Sequence, residues 1–94
     1  MSVPPSHLAD LYKLFASVDT EREAEKLLKD ILTPQELASI AERWQLVQKL
    51  SKGVPQRKIS EDLGISISKI TRGSRMLQYG GGGFKHFLKK LGKN

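Results

Sequence analysis

Between Gln56 and Gly73 the chain places long cations and short hydroxyls beside aliphatic residues at fixed offsets. A helix expected over about Ile67 to Gln78 carries Ser66, Ser68, Lys69, Thr71, Arg72 and Arg75 at outward positions or its start. Hydroxyls of this kind contact base edges or phosphate, and long cations reach phosphate or guanine. A shorter helix, about Gln56 to Leu63, opens on Arg57 and Lys58, where it would cross a phosphate backbone. Gln56 and Arg57 therefore join the candidate DNA contacts. The chemistry implied is readout of a duplex, with no bond made or broken.

Two short helices can present such a surface only if they are wedged at a fixed angle. Ile59 and Leu63 are expected to face inward from the first helix, and Ile65, Ile67 and Ile70 from the turn and the second. Ser60 is small where the second helix passes close over the first. Gly64 permits the turn with positive φ. Ser66 is placed to cap the second helix. This is the pattern of a helix-turn-helix, whose second helix enters a major groove.

The rest of the chain reads as the frame for that pair. Residues 1–5 are expected to be a disordered lead, with Ser6 capping a first helix. Leu8, Leu11, Tyr12, Leu14, Phe15 and Val18 recur at helical spacing. Asp19 and Thr20 offer the next cap, with Glu21 and Glu23 in the first turn, where the helix dipole favours them. Ala24, Leu27, Leu28 and Ile31 supply the apolar face. Thr33-Pro34-Gln35-Glu36 predicts a capping box with proline at the first helical position. The helix it opens should be the longest, with Leu37, Ile40, Ala41, Trp44, Val47 and Leu50 as its stripe and a stop near Lys52-Gly53. Gly80, Gly81, Gly82 and Gly83 are expected to form a flexible hinge before a last basic helix, Phe84 to Leu91. The reading is all-α, with six helices.

Composition narrows the function. Ninety-four residues suffice for one domain with a modest core, a size that often gains stability by oligomerising. The net charge of +6 is unevenly spread: residues 1–42 carry eight acidic and four basic residues, residues 43–94 two acidic and twelve basic. Such asymmetry points to a polyanion, nucleic acid before an anionic membrane surface. Absence of cysteine excludes disulfides and thiolate metal sites, and His7 and His86 stand far apart, so no metal is expected. No apolar run approaches about 20 residues, and the start lacks the shape of a secretion signal, so a cytoplasmic protein without membrane contact is expected. No nucleophile–base set or phosphate-cradling loop is recognisable. The adjacent Glu61 and Asp62 would point about 100° apart on a helix, which cannot focus on one substrate. An enzyme is not expected. RNA binding lacks its sheet of interleaved aromatics and cations. A helical protein-interaction module, or a ligand-independent nucleic-acid-binding protein with a basic face, remains the alternative to a sequence-specific regulator.

The residues resemble the Trp repressor family of bacterial transcription factors. The resemblance runs from Leu32-Thr33-Pro34 through Arg43, Val47, Gly53, Gln56-Arg57 and Leu63-Gly64 to Ile70-Thr71-Arg72-Gly73-Ser74. It covers about residues 30–78. It implies an intertwined homodimer that reads a palindromic double-stranded DNA operator as a repressor, and one Trp-repressor-like domain over residues 6–94. It also implies a ligand site, filled by L-tryptophan as corepressor in the founding members. On that resemblance Thr33 helps hold the amino acid, Arg43 and Arg72 flank the indole, Arg72 meets the carboxylate, and Val47 and Gly73 line the pocket. Guanidinium planes suit both tasks.

Four positions depart from the family pattern. Met76 stands in the pocket where tryptophan-responsive members have a serine near the ligand's amino group, and Asp30 stands where they have leucine. Lys69 and Arg75 replace threonine and asparagine, which implies a different operator. Leu77-Gln78-Tyr79-Gly80 is similar to a branch of the family with no assigned ligand. Structural roles compete for several residues. Trp44 is expected in the core or a dimer interface, and Arg43 has Glu42 or Asp30 as candidate ion-pair partners. Phe84, Phe87, Leu88 and Leu91 form a packing face, expected against a partner chain. Lys85, Lys89, Lys90 and Lys93 are either a solvated face or an aid to non-specific DNA affinity.

Overall fold

A computed structural model describes residues 2–93. Met1, in the expected lead, and Asn94, at the end of the expected domain, lie outside the described residues. Six helices follow one another: α1 Pro5–Ala16, α2 Glu21–Ile31, α3 Pro34–Ser51, α4 Gln56–Leu63, α5 Ile67–Tyr79 and α6 Gly83–Lys90. No strand occurs among the described residues.

The chain divides into two compact units, Met1–Leu37 and Ala38–Asn94. In the first, α1 begins one residue before the expected Ser6 cap. Pro4 is the N-cap and Pro5 opens the helix, with no side-chain cap. A proline at the first position has no N–H to satisfy and its φ is already helical, which favours a start at Pro5. Thr20 caps α2 by accepting from the Glu23 backbone N–H at 3.1 Å. The expected box at Thr33 is closed in both directions. Thr33 N–H donates to Glu36 Oε1 at 2.8 Å, and Glu36 N–H donates to Thr33 Oγ1 at 3.1 Å. The Thr33 backbone N–H first, and the Thr33 hydroxyl second, hold the Glu36 carboxyl below its ordinary value of 4.5. Neither α1 nor α2 contains a buried residue.

The second unit holds the core that positions the candidate site. Leu46, Ile59, Ile65 and Ile70 form a buried cluster, with Leu50, Val54 and Leu63 packed on it. Gln48, the buried polar residue of α3, donates from Nε2 to the Trp44 carbonyl at 3.3 Å. Gly53 turns the chain out of α3 with φ +78°, as the sequence predicts. The glycine run is tighter than a free hinge. Gly80 caps α5 through its N–H to the Met76 carbonyl, Gly82 caps α6 with φ +88°, and Gly83 already belongs to α6. A Cβ on Gly80 would strike the Met76 carbonyl, so that position admits no larger residue without a shift.

Candidate nucleic-acid interface and the adjoining cavity

The helix-turn-helix forms where the sequence places it. Gly64 ends α4 in the left-handed region at φ +65°, and its N–H bonds to the Ser60 carbonyl at 2.9 Å. A left-handed residue costs an L side chain about 1–2 kcal/mol, which is why glycine stands here. Ser60 is more than small. Its Oγ donates to the Ile65 carbonyl at 2.7 Å and so satisfies the half-buried turn. Ser66 then caps α5, its Oγ accepting from the Lys69 N–H at 3.2 Å.

Three of the five expected wedge residues are buried: Ile59 and Ile70 fully, and Ile65 to 7% exposure. Leu63 is half-buried against them. Ile67 corrects the expectation, since half of it is exposed. It opens α5, about a turn ahead of the buried Ile70, and its side chain stays outside the cluster formed by Leu46, Ile59, Ile65 and Ile70. Shared helical spacing put it on the right face but could not show where the packing ends.

Gln56, Arg57, Ser66, Ser68, Lys69, Thr71, Arg72 and Arg75 are all exposed. Among the described residues, neither Arg72 nor Arg75 has a carboxylate within ion-pairing distance. Lys69 is different: its Nζ lies 3.4 Å from Glu42 Oε1 on α3. Glu42 thus pairs with Lys69, and Arg43 does not engage it. Lys58, beside Arg57, is 3.5 Å from Asp62, which also meets Lys49 of α3 at 3.8 Å. Of the cations that open α4, Lys58 is therefore partly neutralised, while Arg72 and Arg75 of α5 stay available.

Behind α5 lies a cavity of about 420 Å3. Ser39, Glu42, Arg43 and Leu46 of α3, Lys69, Arg72, Gly73 and Met76 of α5, and Phe84 of α6 line it. Four of the six expected ligand residues, Arg43, Arg72, Gly73 and Met76, are thus brought together. Val47 is fully buried and is not among the lining residues. It lies in the packing and offers no surface to a ligand. The hydroxyl of Thr33 is engaged in capping α3. Sequence reasoning did not assign Ser39, Glu42, Leu46, Lys69 or Phe84 to the cavity. Helical spacing from Arg43 to Ser39, and from Ser39 to Glu42, offered only a weak signal, and nothing local marked Phe84.

Gly73 decides how closely α5 approaches α3. A Cβ built there would lie 2.7 Å from Leu46 Cδ2 and 3.3 Å from its Cγ. The leucine occupies space that any other residue at 73 would claim. A second, nearly apolar cavity of about 500 Å3 is lined by Trp44, Met76, Gly80 to Gly83, Phe84, Phe87 and Leu91. Trp44 is half-buried and stacked on Phe84, with ring centroids 6.3 Å apart and planes at 23°. Leu88 is buried within this chain, whereas Phe87 and Leu91 remain about half exposed. No described helix is long and apolar enough to cross a membrane. Among the described residues no group of three or more His, Cys, Asp or Glu is arranged to hold a metal ion.

Comparison with known proteins gives concordant findings. Residues 6–92 match the family described as Trp repressor protein. A Trp operon repressor homolog of Chlamydia trachomatis serovar L2 is 34% identical over 84 residues, covering 84% of this chain and 89% of that protein. A Trp operon repressor homolog of Mannheimia succiniciproducens is 45% identical over 65 residues, covering 68% and 64%. One from Pasteurella multocida is 46% identical over 55 residues, covering 57% and 54%. No solved structure matches.

Proposed function

The chain belongs to the Trp repressor family, and from that premise we propose that it is a dimeric, sequence-specific DNA-binding transcriptional repressor. The observation that carries the reading is the α4–α5 pair. Its aliphatic side buries Ile59, Ile65 and Ile70, while Arg72 and Arg75 stand exposed on α5 without ion-pair partners among the described residues. A buried wedge with free cations opposite is what groove entry requires, because the wedge fixes the angle and the cations meet phosphate.

The dimer is supported by apolar surface left uncovered. Leu11, Phe15, Ile40, Phe87 and Leu91 each expose between 39% and 56% of their area. Helices α1 and α2 bury nothing outright. Side chains of this kind gain from being covered by a second chain, and two-fold pairing is the commonest closed solution. Helix-turn-helix dimers, the Trp repressor among them, engage half-sites about 34–36 Å apart. The family match over residues 6–92 supports reading residues 6–94 as one functional domain, acting in the cytoplasm without chemistry of its own.

The cavity behind α5 is the proposed effector site, with L-tryptophan as the first ligand to test. Arg43 and Arg72 supply guanidiniums that can stack on a ring or pair with a carboxylate. A ligand seated there touches both α3 and α5, so it can bias the placement of the reading helix. The decisive experiment is selection of preferred duplexes from a random pool, with and without tryptophan. Enrichment of a palindromic sequence supports the reading, and recovery of no sequence preference refutes it. Arg72→Ala should abolish operator binding in a gel shift, and an unchanged shift would count against the interface assigned here. Calorimetry with millimolar tryptophan tests the effector. Absence of heat together with absence of thermal stabilisation removes it.

A further inference from the structure

The reading helix is tied to its own chain at Lys69, through the 3.4 Å ion pair with Glu42. This pair follows from the packing beneath it. Glu42 lies one turn before Leu46 on α3, and Lys69 lies one turn before Gly73 on α5. Leu46 fills the space above Gly73, which brings the two helices together and sets their preceding turns face to face. The Ser66 cap fixes the first turn of α5, so the backbone of Lys69 is held in place. Both partners also line the cavity behind α5.

We propose that Glu42 is a positioning residue for the DNA-binding surface: its carboxylate holds the Lys69 ammonium back over the cavity until a DNA phosphate displaces it. The inference rests on the DNA-binding reading of α5. An ammonium has three donors on a flexible stem and exchanges one anion for another readily. When Lys69 transfers to phosphate, the cost is loss of an exposed pair, and the gain is release of one more counterion from the duplex. The transfer leaves the Glu42 carboxylate unpaired at the cavity rim. Glu42 thereby lowers affinity for every duplex alike.

The test uses the full chain and a mixed-sequence duplex of about 20 base pairs, long enough for two half-sites one turn apart. Binding is measured across a salt series for wild type, Glu42→Gln, Lys69→Gln and the double variant. Exposed pairs have strengths that convert to about 1.5- to 5-fold in an equilibrium. Glu42→Gln should therefore tighten binding by that factor at low salt. The slope of log affinity against log salt should stay as in wild type, because Lys69 reaches the same phosphate in both proteins, whereas Lys69→Gln should flatten it by about 0.9, the increment for one phosphate. In the Lys69→Gln background Glu42→Gln should leave both quantities unmoved. An unaltered slope in Lys69→Gln, or equal tightening by Glu42→Gln in the presence and absence of Lys69, overturns the proposal. The second result would mean that Glu42 acts only as a distant negative charge. Circular dichroism of each variant guards against a folding artefact. Failure of wild type to bind duplex at low salt would instead strike the DNA-binding reading itself.

Discussion

Replacing Gly73 with alanine sets two effects of similar size against each other. Alanine inside a helix is favoured over glycine by about 1 kcal/mol. Against this, the added methyl would sit 2.7 Å from Leu46 Cδ2 and 3.3 Å from Leu46 Cγ, closer than side chains tolerate. Leu46 is only 4% exposed and belongs to the cluster with Ile59, Ile65 and Ile70, so it has little room to rotate away. Extra methylene groups in packed cores cost about 1–3 kcal/mol. The balance is a net loss of about 1 kcal/mol, equivalent to about 4–8 °C in Tm for a domain this small. Urea unfolding at matched protein concentration is the assay, because association contributes to stability. Gly81→Ala is the control. Nothing lies within 4 Å of its added methyl and φ is outside the left-handed region, so it should gain about 0.4–1 kcal/mol. A Gly73→Ala protein as stable as wild type, or more so, would refute the claim that Leu46 sets the approach of α5.

Two further substitutions probe the local chemistry. Ser60→Ala removes the 2.7 Å bond to the Ile65 carbonyl and leaves a half-buried acceptor unpaired, which should cost about 1–3 kcal/mol by thermal unfolding; no loss would show that water replaces the hydroxyl. Thr33→Ala should destabilise by about 1 kcal/mol through loss of the α3 cap. The Glu36 carboxyl is held below its ordinary value in the folded chain, so its contribution is fully present above about pH 4.5 and fades as the pH falls through the lowered value. A carbon-detected titration should find the Glu36 pKa raised in Thr33→Ala yet still below its ordinary value, because the backbone N–H that contributes most remains; an identical pKa in both proteins would contradict the hydroxyl's share.

Local rules carried the sequence reading where structure is local. The Thr33–Glu36 box, the left-handed Gly64 and the Ser66 cap each depend on four or five consecutive residues, and each forms as expected. Burial of Ile59 and Ile70 also follows from spacing alone. Contacts between helices are another matter. Ile67 shares a face with Ile70, yet only the limited extent of the packing leaves it half exposed. The pairing of Glu42 with Lys69 spans 27 positions, and only the close approach at Gly73 brings the two together. Phe84 reaches the cavity because Gly80 and Gly82 turn the chain tightly, where four glycines in a row suggest slack. Arg43, Arg72, Gly73 and Met76 were placed by resemblance and do meet in one cavity, whereas Val47 is buried and does not line it.

Trp44 is the one tryptophan in the chain, and it is stacked on Phe84, a residue that walls both cavities of the second unit. Its indole is therefore a built-in optical probe: a small molecule that displaces Phe84 changes the polarity around the ring and shifts its emission. Non-fluorescent compounds can be screened on the unlabelled protein by this signal alone. Tryptophan, which emits in the same band, calls for a fluorinated analogue watched by nuclear resonance instead.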